Sequence, residues 1–136
     1  MTDFKKLLNK QRLDLMKALG HLKHSYKKVL KMKTNPEVLS TDELEVWEGF
    51  VARFARASDL FLSKYLRTFV LNADPAFQGS FRDFVNQAEK LELIENAETW
   101  MQIRELRNAS AHEYAEEKLS DLFESIRKEA SKLIAL

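Results

Sequence analysis

One short segment in the last third of the chain combines the residue types that phosphoester chemistry needs. It reads Arg104-Glu-Leu-Arg107-Asn108-Ala-Ser-Ala-His112-Glu-Tyr114. Histidine titrates near neutral pH, so it can exchange a proton with a hydroxyl or a leaving oxygen. Arginine is permanently charged and donates two parallel hydrogen bonds to a phosphate, which suits it to stabilise a phosphorane-like transition state. Arg107 and His112 are therefore a candidate catalytic pair, compatible with metal-free cleavage of RNA through its 2′-hydroxyl.

The spacing within this segment restricts its geometry. On an ideal helix, residues five apart point about 140° away from each other, at about 100° per residue. Arg107 and His112 thus share a face only if the helix ends or kinks between them. Asn108 and His112, four apart, share a face on a continuous helix, which would let the amide orient the imidazole. Arg104 lies on the same stripe and is a second candidate for binding phosphate.

The segment resembles the R-x4-6-H signature of HEPN ribonucleases, and more closely the R-N-x-x-x-H-x-Y form of HepT-like proteins and related nucleotidyltransferase substrate-binding subunits. The resemblance implies a HEPN-like homodimer that pairs two motifs in one cleft. It also implies a metal-independent endoribonuclease toxin that uses Arg107, Asn108 and His112. The implied partners are an RNA substrate and a cognate nucleotidyltransferase antitoxin. Tyr114 occupies the position that such an antitoxin modifies with AMP.

Other functions fit the same residues. The chain could be a non-catalytic helical subunit that docks to a small nucleotidyltransferase, or a general nucleic-acid-binding protein that uses its basic first helix. In a purely structural role, Arg107 would pair with an acid such as Glu105 or Glu113, and His112 would be an ordinary surface residue. Tyr114 would then cover a groove between helices.

Composition favours one helical domain. Of 136 residues, 45% are hydrophobic and 32% are charged, which suffices for a packed core and a solvated surface. Only 3 Gly and 2 Pro interrupt the chain, so a few long helices are expected rather than many short strands. The absence of Cys excludes disulfides and thiolate metal sites. No apolar run approaches a membrane span, and a cytoplasmic protein without a cofactor is expected.

Positive charge is concentrated at the N-terminal end of the chain. The first 36 residues contain ten Lys or Arg and two acids, whereas the rest contains twelve and nineteen. Lys23, Lys27 and Lys31 recur every four residues and are weak candidates for binding RNA phosphates. The alternative is a solvated helix face. His21 and His24 could share a face, but their lysine-rich surroundings disfavour a metal site.

Apolar spacing and capping residues predict an antiparallel bundle of four to five helices across residues 1–136. Helix 1 should run from Asp3, capped by Thr2, to Lys33, and helix 2 from the Ser40–Glu43 capping box to about Leu71. Ser80 should cap a third helix and Asn96 a fourth. A weaker break near Glu113–Tyr114 should begin a fifth. The predicted inner stripe of helix 2 is Leu44, Trp47, Val51, Phe54, Ser58, Phe61, Tyr65 and Phe69.

Overall fold

The computed structural model describes residues 3–112 and 116–136, and at 116 and 117 it describes the backbone only. The described residues form helices joined by turns and contain no strand. The all-helical bundle predicted from the sequence is therefore confirmed. The predicted cap at Thr2 lies outside the described residues.

The first helix, α1 (Phe4–Val29), begins about where predicted but ends earlier. Its cap is Asp3, whose carboxylate accepts a hydrogen bond from the Lys6 amide at 3.0 Å. Its C-terminal end comes four residues before the predicted Lys33. The carbonyl oxygens beyond this point bond to distant side chains instead of continuing the helix. Arg127 donates to Val29 O at 3.0 Å and to Met32 O at 2.7 Å.

A single long rod crosses the bundle after the short 3-10 turn Pro36–Val38. It consists of α2 (Thr41–Asp59), a π-helical turn (Leu60–Tyr65) and α3 (Leu66–Ala73). The predicted capping box is confirmed, since Ser40 and Glu43 bond each other's backbone amides. The rod ends two residues later than predicted.

The π-helical turn changes which residues the rod buries. A π-helical turn closes hydrogen bonds between residues five apart and so inserts one residue into the α-helical repeat. Up to Phe61 the predicted stripe is confirmed in its largest residues, because Trp47, Phe54 and Phe61 are buried. Beyond the turn, Leu66 and Val70 are fully buried where Tyr65 and Phe69 had been predicted. Those two aromatic side chains are only partly buried.

Three further helices complete the bundle: α4 (Phe81–Lys90), α5 (Ala97–Ala109) and α6 (Glu116–Ile134). The predicted cap Ser80 forms a capping box with Asp83, and Asn96 accepts from the Glu98 amide at 2.9 Å. The side chain of Glu89 also accepts from the Ala97 amide at 2.6 Å, which ties the end of α4 to the start of α5.

The core lies between α1, the long rod and α6, with α4 and α5 closing one side. Aromatic rings dominate it. Trp47 stacks on Phe123 with ring centroids 4.6 Å apart, and Phe61 contacts Trp100 at 4.7 Å. Trp47 and Phe61, predicted on the inner stripe of helix 2, are buried, and so are Trp100 and Phe123. Within the described part of the chain, no helix has the length and apolar character needed to cross a bilayer.

Candidate functional site

The candidate site lies where α5 ends, and the helix stops between its two key residues. Ala109 is the last α-helical residue. The Ser110 hydroxyl donates back to the carbonyl of Arg107 at 2.6 Å, an interaction by which serine competes with helix continuation. Ala111 and His112 then continue in tight turns, with their amides bonded to the carbonyls three residues earlier, at 3.2 and 3.1 Å.

This helix end meets the geometric condition inferred from the sequence. Arg107 and His112 are not held about 140° apart by a continuous helix, because the helix does not reach His112. The same fact removes the basis for pairing Asn108 with His112, since four-residue spacing defines a common face only within a helix. Asn108 and His112 are both exposed.

Arg107 is fixed by a carboxylate from another helix. Its Nε and Nη2 atoms each donate to one oxygen of Asp59 at 2.9 Å, a bidentate pair. The Arg107 side chain is 27% exposed and that of Asp59 is 48% exposed. Hydrogen bonding to Asp59 raises the pKa of Arg107, against a smaller opposing effect of burial. The arginine is therefore charged at every working pH.

Sequence reasoning missed Asp59. The expected acidic partners of Arg107 were its neighbours Glu105 and Glu113. The structure instead provides an acid 48 residues earlier, at the last residue of α2, and Glu113 lies outside the described residues. The one available signal was an acid inside the apolar run Ala57-Ser58-Asp59-Leu60-Phe61, where a charge requires a partner.

Arg104 makes a different kind of contact. Its guanidinium carbon lies 3.7 Å from the centroid of the Phe81 ring at the start of α4. The neighbouring Arg82 pairs with Glu98 at 3.1 Å. Arg104 is thus held next to an aromatic ring rather than a carboxylate, one helical turn before Arg107.

The basic residues of α1 are arranged less regularly than predicted. Lys23 and Lys27 are exposed on the helix, but Lys31 lies in the turn after its end, so the three do not share one helix face. His21 and His24 are exposed, as expected for surface residues. In the described ranges, no three side chains of His, Cys, Asp or Glu come together as a metal site would require.

Tyr114, the predicted modification site, lies outside the described residues, as does the predicted break at Glu113–Tyr114. The described part of α5 ends at Ala109, and α6 begins at Glu116.

Comparison with known proteins agrees with the motif and the helix order. The model of the family described as nucleotidyltransferase substrate binding protein like matches residues 11–134. The chain belongs to this family. The match covers nearly the whole bundle, including the long rod, α5 and the Arg107–His112 segment, and it confirms the HEPN-like resemblance. No curated protein and no solved structure matches the chain.

Membership of the family bears on the fold and on the kind of protein. The family is named for nucleotidyltransferase substrate binding and not for RNA cleavage. It therefore fits a subunit that works beside a nucleotidyltransferase as well as it fits a toxin, and the choice between them depends on the chemistry of the site.

Proposed function

We propose that this protein is a metal-independent endoribonuclease toxin, paired with a nucleotidyltransferase antitoxin, that cleaves RNA with Arg107 and His112. Asn108 borders the pair as a third site residue. The single observation that best supports the proposal is the way in which Asp59 holds Arg107. The arginine is oriented by the protein before any substrate binds, as catalysis by electrostatic stabilisation requires.

The pairing with Asp59 leaves Arg107 able to bind phosphate. A guanidinium carries five N–H donors, and Asp59 uses one on Nε and one on Nη2. Among the described contacts, both donors of Nη1 and the second donor of Nη2 remain, and they lie along the outer edge of the guanidinium. Two phosphate oxygens can accept from that edge while Asp59 keeps its own bonds. The 27% exposure of the side chain leaves it accessible to a ligand.

The proposed reaction uses the RNA 2′-hydroxyl as the nucleophile. Neutral His112 takes the proton of this hydroxyl as the 2′-oxygen forms a bond to phosphorus. The bond from phosphorus to the 5′-oxygen breaks, and that oxygen takes a proton from an imidazolium. Arg107 stabilises the extra negative charge on the phosphate oxygens between these steps. The products are a 2′,3′-cyclic phosphate and a 5′-hydroxyl, with no net change in protons.

A homodimer would supply both histidines of this reaction. Ala109, Ser110 and Ala111, the residues between the two catalytic side chains, are small and partly or fully exposed, so a second copy can approach the site closely. Two such segments around a twofold axis would bring one neutral and one protonated His112 to the same phosphate.

A second candidate function is a non-catalytic partner subunit of a nucleotidyltransferase. One observation favours it: the family description refers to nucleotidyltransferase substrate binding. In this case the α5 end would be a protein-docking or substrate-presenting surface without chemistry of its own.

Cleavage of a labelled RNA pool by the purified protein separates the two functions. The toxin proposal expects cleavage that EDTA does not inhibit and that His112→Ala and Arg107→Ala abolish without loss of helicity. Arg107→Lys should restore little activity, because an ammonium cannot make the bidentate contacts. The matched control is His24→Ala, an exposed histidine remote in sequence from the motif, which should cleave like the wild type. Equal cleavage by His112→Ala, or a monomer of full activity in sedimentation, would contradict the proposal.

A further inference from the structure

We infer that Arg104, stacked on Phe81, forms a second RNA subsite and supplies the uncompensated positive charge beside the Arg107–His112 pair. The subsite binds a nucleotide of single-stranded RNA next to the linkage that is cleaved. This inference rests on the proposed ribonuclease function. It assigns different roles to the two arginines: Arg107 acts on the phosphate that is cleaved, and Arg104 binds the neighbouring nucleotide.

The first argument is the charge balance of the three arginines on α4 and α5. Arg82 is paired with Glu98 at 3.1 Å, and Arg107 is paired with Asp59 at 2.9 Å. Arg104 takes part in no ion pair within the described part of the chain. Among the described residues, it is therefore the arginine of these two helices whose charge no carboxylate cancels, and a polyanion is attracted to uncompensated charge.

The second argument is the geometry of the stack. At 3.7 Å from the ring centroid, the Arg104 guanidinium lies against the face of Phe81, where the electron-rich π system attracts a cation without cancelling its charge. One face of the guanidinium is covered by the ring. Its N–H edges can still donate to phosphate, and half-buried Arg104 remains partly open to solvent. Stacked arginine and aromatic planes are recurrent elements of single-stranded RNA binding.

The third argument is that Phe81 is a rigid support. It is the first residue of α4 and lies within the Ser80–Asp83 capping box, directly after the cap Ser80. The preceding Gly79 leaves no room for a side chain, since a Cβ there would lie 2.6 Å from a carboxylate oxygen of Asp83. The backbone at the start of α4 is thus fixed, and the partly buried Phe81 ring packs against the hydrophobic core. The arginine that rests on this ring has a defined position before RNA binds.

The spacing of Arg104 and Arg107 lets one RNA strand contact both. Residues three apart on a helix are neighbours on its surface, with Cβ atoms about 5 to 6 Å apart. A strand that places its scissile phosphate at Arg107 brings an adjacent nucleotide over Arg104. Arg107, neutralised by Asp59, then serves orientation and the transition state, whereas Arg104 provides most of the salt-dependent attraction.

The dependence of RNA affinity on salt concentration tests whether Arg104 provides this attraction. The His112→Ala protein, in which RNA stays intact, is titrated with a fluorescently labelled single-stranded RNA at several salt concentrations. Arg104→Gln should weaken binding about tenfold and lower the slope of log affinity against log salt by about 0.7, the value for one phosphate contact on a single strand. Arg104→Lys should keep the slope. Phe81→Leu keeps the charge, so it should weaken binding about threefold at an unchanged slope.

The control is Arg82→Gln, which removes a paired arginine next to Phe81 and should change the affinity less than twofold. Circular dichroism verifies that each variant is folded. If adding Arg104→Gln to the His112→Ala protein left its RNA affinity and salt slope unchanged, the inference would be overturned. Cleavage of RNA by the wild type would still support the ribonuclease proposal in that case. A protein that neither binds nor cleaves RNA would overturn both.

Discussion

Asp59 and Arg107, 48 residues apart in sequence, join the last turn of α2 to the last turn of α5 through two parallel hydrogen bonds of 2.9 Å. Directly after Asp59 the chain enters the π-helical turn, and five residues after Arg107 comes His112. π-Helical turns occur mostly as single interruptions of longer helices, often at functional sites. The contact therefore connects the start of the π-helical turn in the long rod with the C-terminal end of α5.

The first prediction concerns this pair. Asp59→Asn keeps the size of the side chain but removes its charge, so Arg107 is less firmly oriented and its charge is uncancelled. We expect RNA to bind more tightly, by a few-fold, and to be cleaved at least tenfold more slowly. Glu48→Gln, at an exposed acid of α2, is the control for a change of one charge. Unchanged cleavage by Asp59→Asn would show that Asp59 has no part in catalysis.

A double-mutant cycle of Asp59→Asn with Arg107→Gln measures the strength of the pair. The coupling in the free energy of unfolding should be about 0.5 to 1 kcal/mol, because both groups are partly exposed.

The second prediction concerns the basic helix. Replacement of Lys23, Lys27 and Lys31 by Glu should weaken RNA binding regardless of sequence and reduce its salt dependence, if these side chains contact phosphates. The same replacement of Lys5, Lys6 and Lys10, at the other end of α1, changes the net charge equally and serves as the control. Equal effects of the two triple variants would indicate general attraction only. If neither triple variant changed RNA affinity, the lysines of α1 would form a solvated helix face without a role in RNA binding.

The third prediction concerns control of activity through Tyr114. We expect a partner nucleotidyltransferase supplied with ATP to transfer AMP to its hydroxyl and release pyrophosphate. The added phosphate and adenosine would obstruct an anion-binding site two residues away at His112. Tyr114→Phe removes the acceptor oxygen but keeps the ring, so it should remain an active nuclease that the partner cannot modify. Mass spectrometry after co-expression checks this, and an unmodified yet neutralised protein would indicate inhibition by binding instead.

The fourth prediction concerns stability at the end of α4. Glu92 has a φ of 63°, in the left-handed region that favours glycine. The amides of Leu93 and Glu92 bond to the carbonyls of Ala88 and Glu89 at 3.0 Å, which makes the turn a Schellman motif. Glu92→Gly should therefore raise the free energy of unfolding by about 1 kcal/mol. Lys90→Gly, within the helix, should lower it by a similar amount. Urea unfolding measures both, and destabilisation by Glu92→Gly would contradict the assignment.

The fifth prediction concerns pH. Hydrogen bonds from Ser80 lower the pKa of Asp83 below its ordinary value of 3.8. Because the pKa is lower in the folded state, the contribution of Asp83 to stability is present above the ordinary value. It is lost as the pH falls through the folded value. Asp83→Ala should therefore unfold at a lower temperature than the wild type near neutrality, and this difference should shrink in acid. A difference that is independent of pH would exclude the carboxylate as its source.

Local signals accounted for most of the fold. The caps at Ser40, Ser80 and Asn96 were predictable because a capping residue acts within three positions of itself. The π-helical turn was not predictable, because no sequence pattern among residues 60–65 marks an inserted residue. Its effect is that Leu66 and Val70 are buried rather than Tyr65 and Phe69. One inserted residue rotated the rest of the rod about its axis.

The candidate site residues Arg107 and His112 come from their residue types and from the family motif, and their role stays a prediction. The contacts around them could not be predicted from the sequence. The partner of Arg107 depends on how α2 and α5 pack, which no local pattern contains. The same is true of the support that Phe81 gives to Arg104, because the two residues belong to different helices.

The two hydrogen bonds of Arg127 to the end of α1 have a consequence during protein synthesis. Arg127 leaves the ribosome 98 residues after Val29 and 95 residues after Met32, which takes on the order of 5 to 20 s at about 5 to 20 residues per second. Until then the Met32 carbonyl lacks its side-chain donor, the Val29 carbonyl has only the Met32 amide, and the Trp47 ring lacks Phe123 against it. A nascent chain can therefore contain the whole Arg107–His112 segment and still be unable to close its bundle. The site is therefore finished only after α6 has been synthesised and has packed against α1.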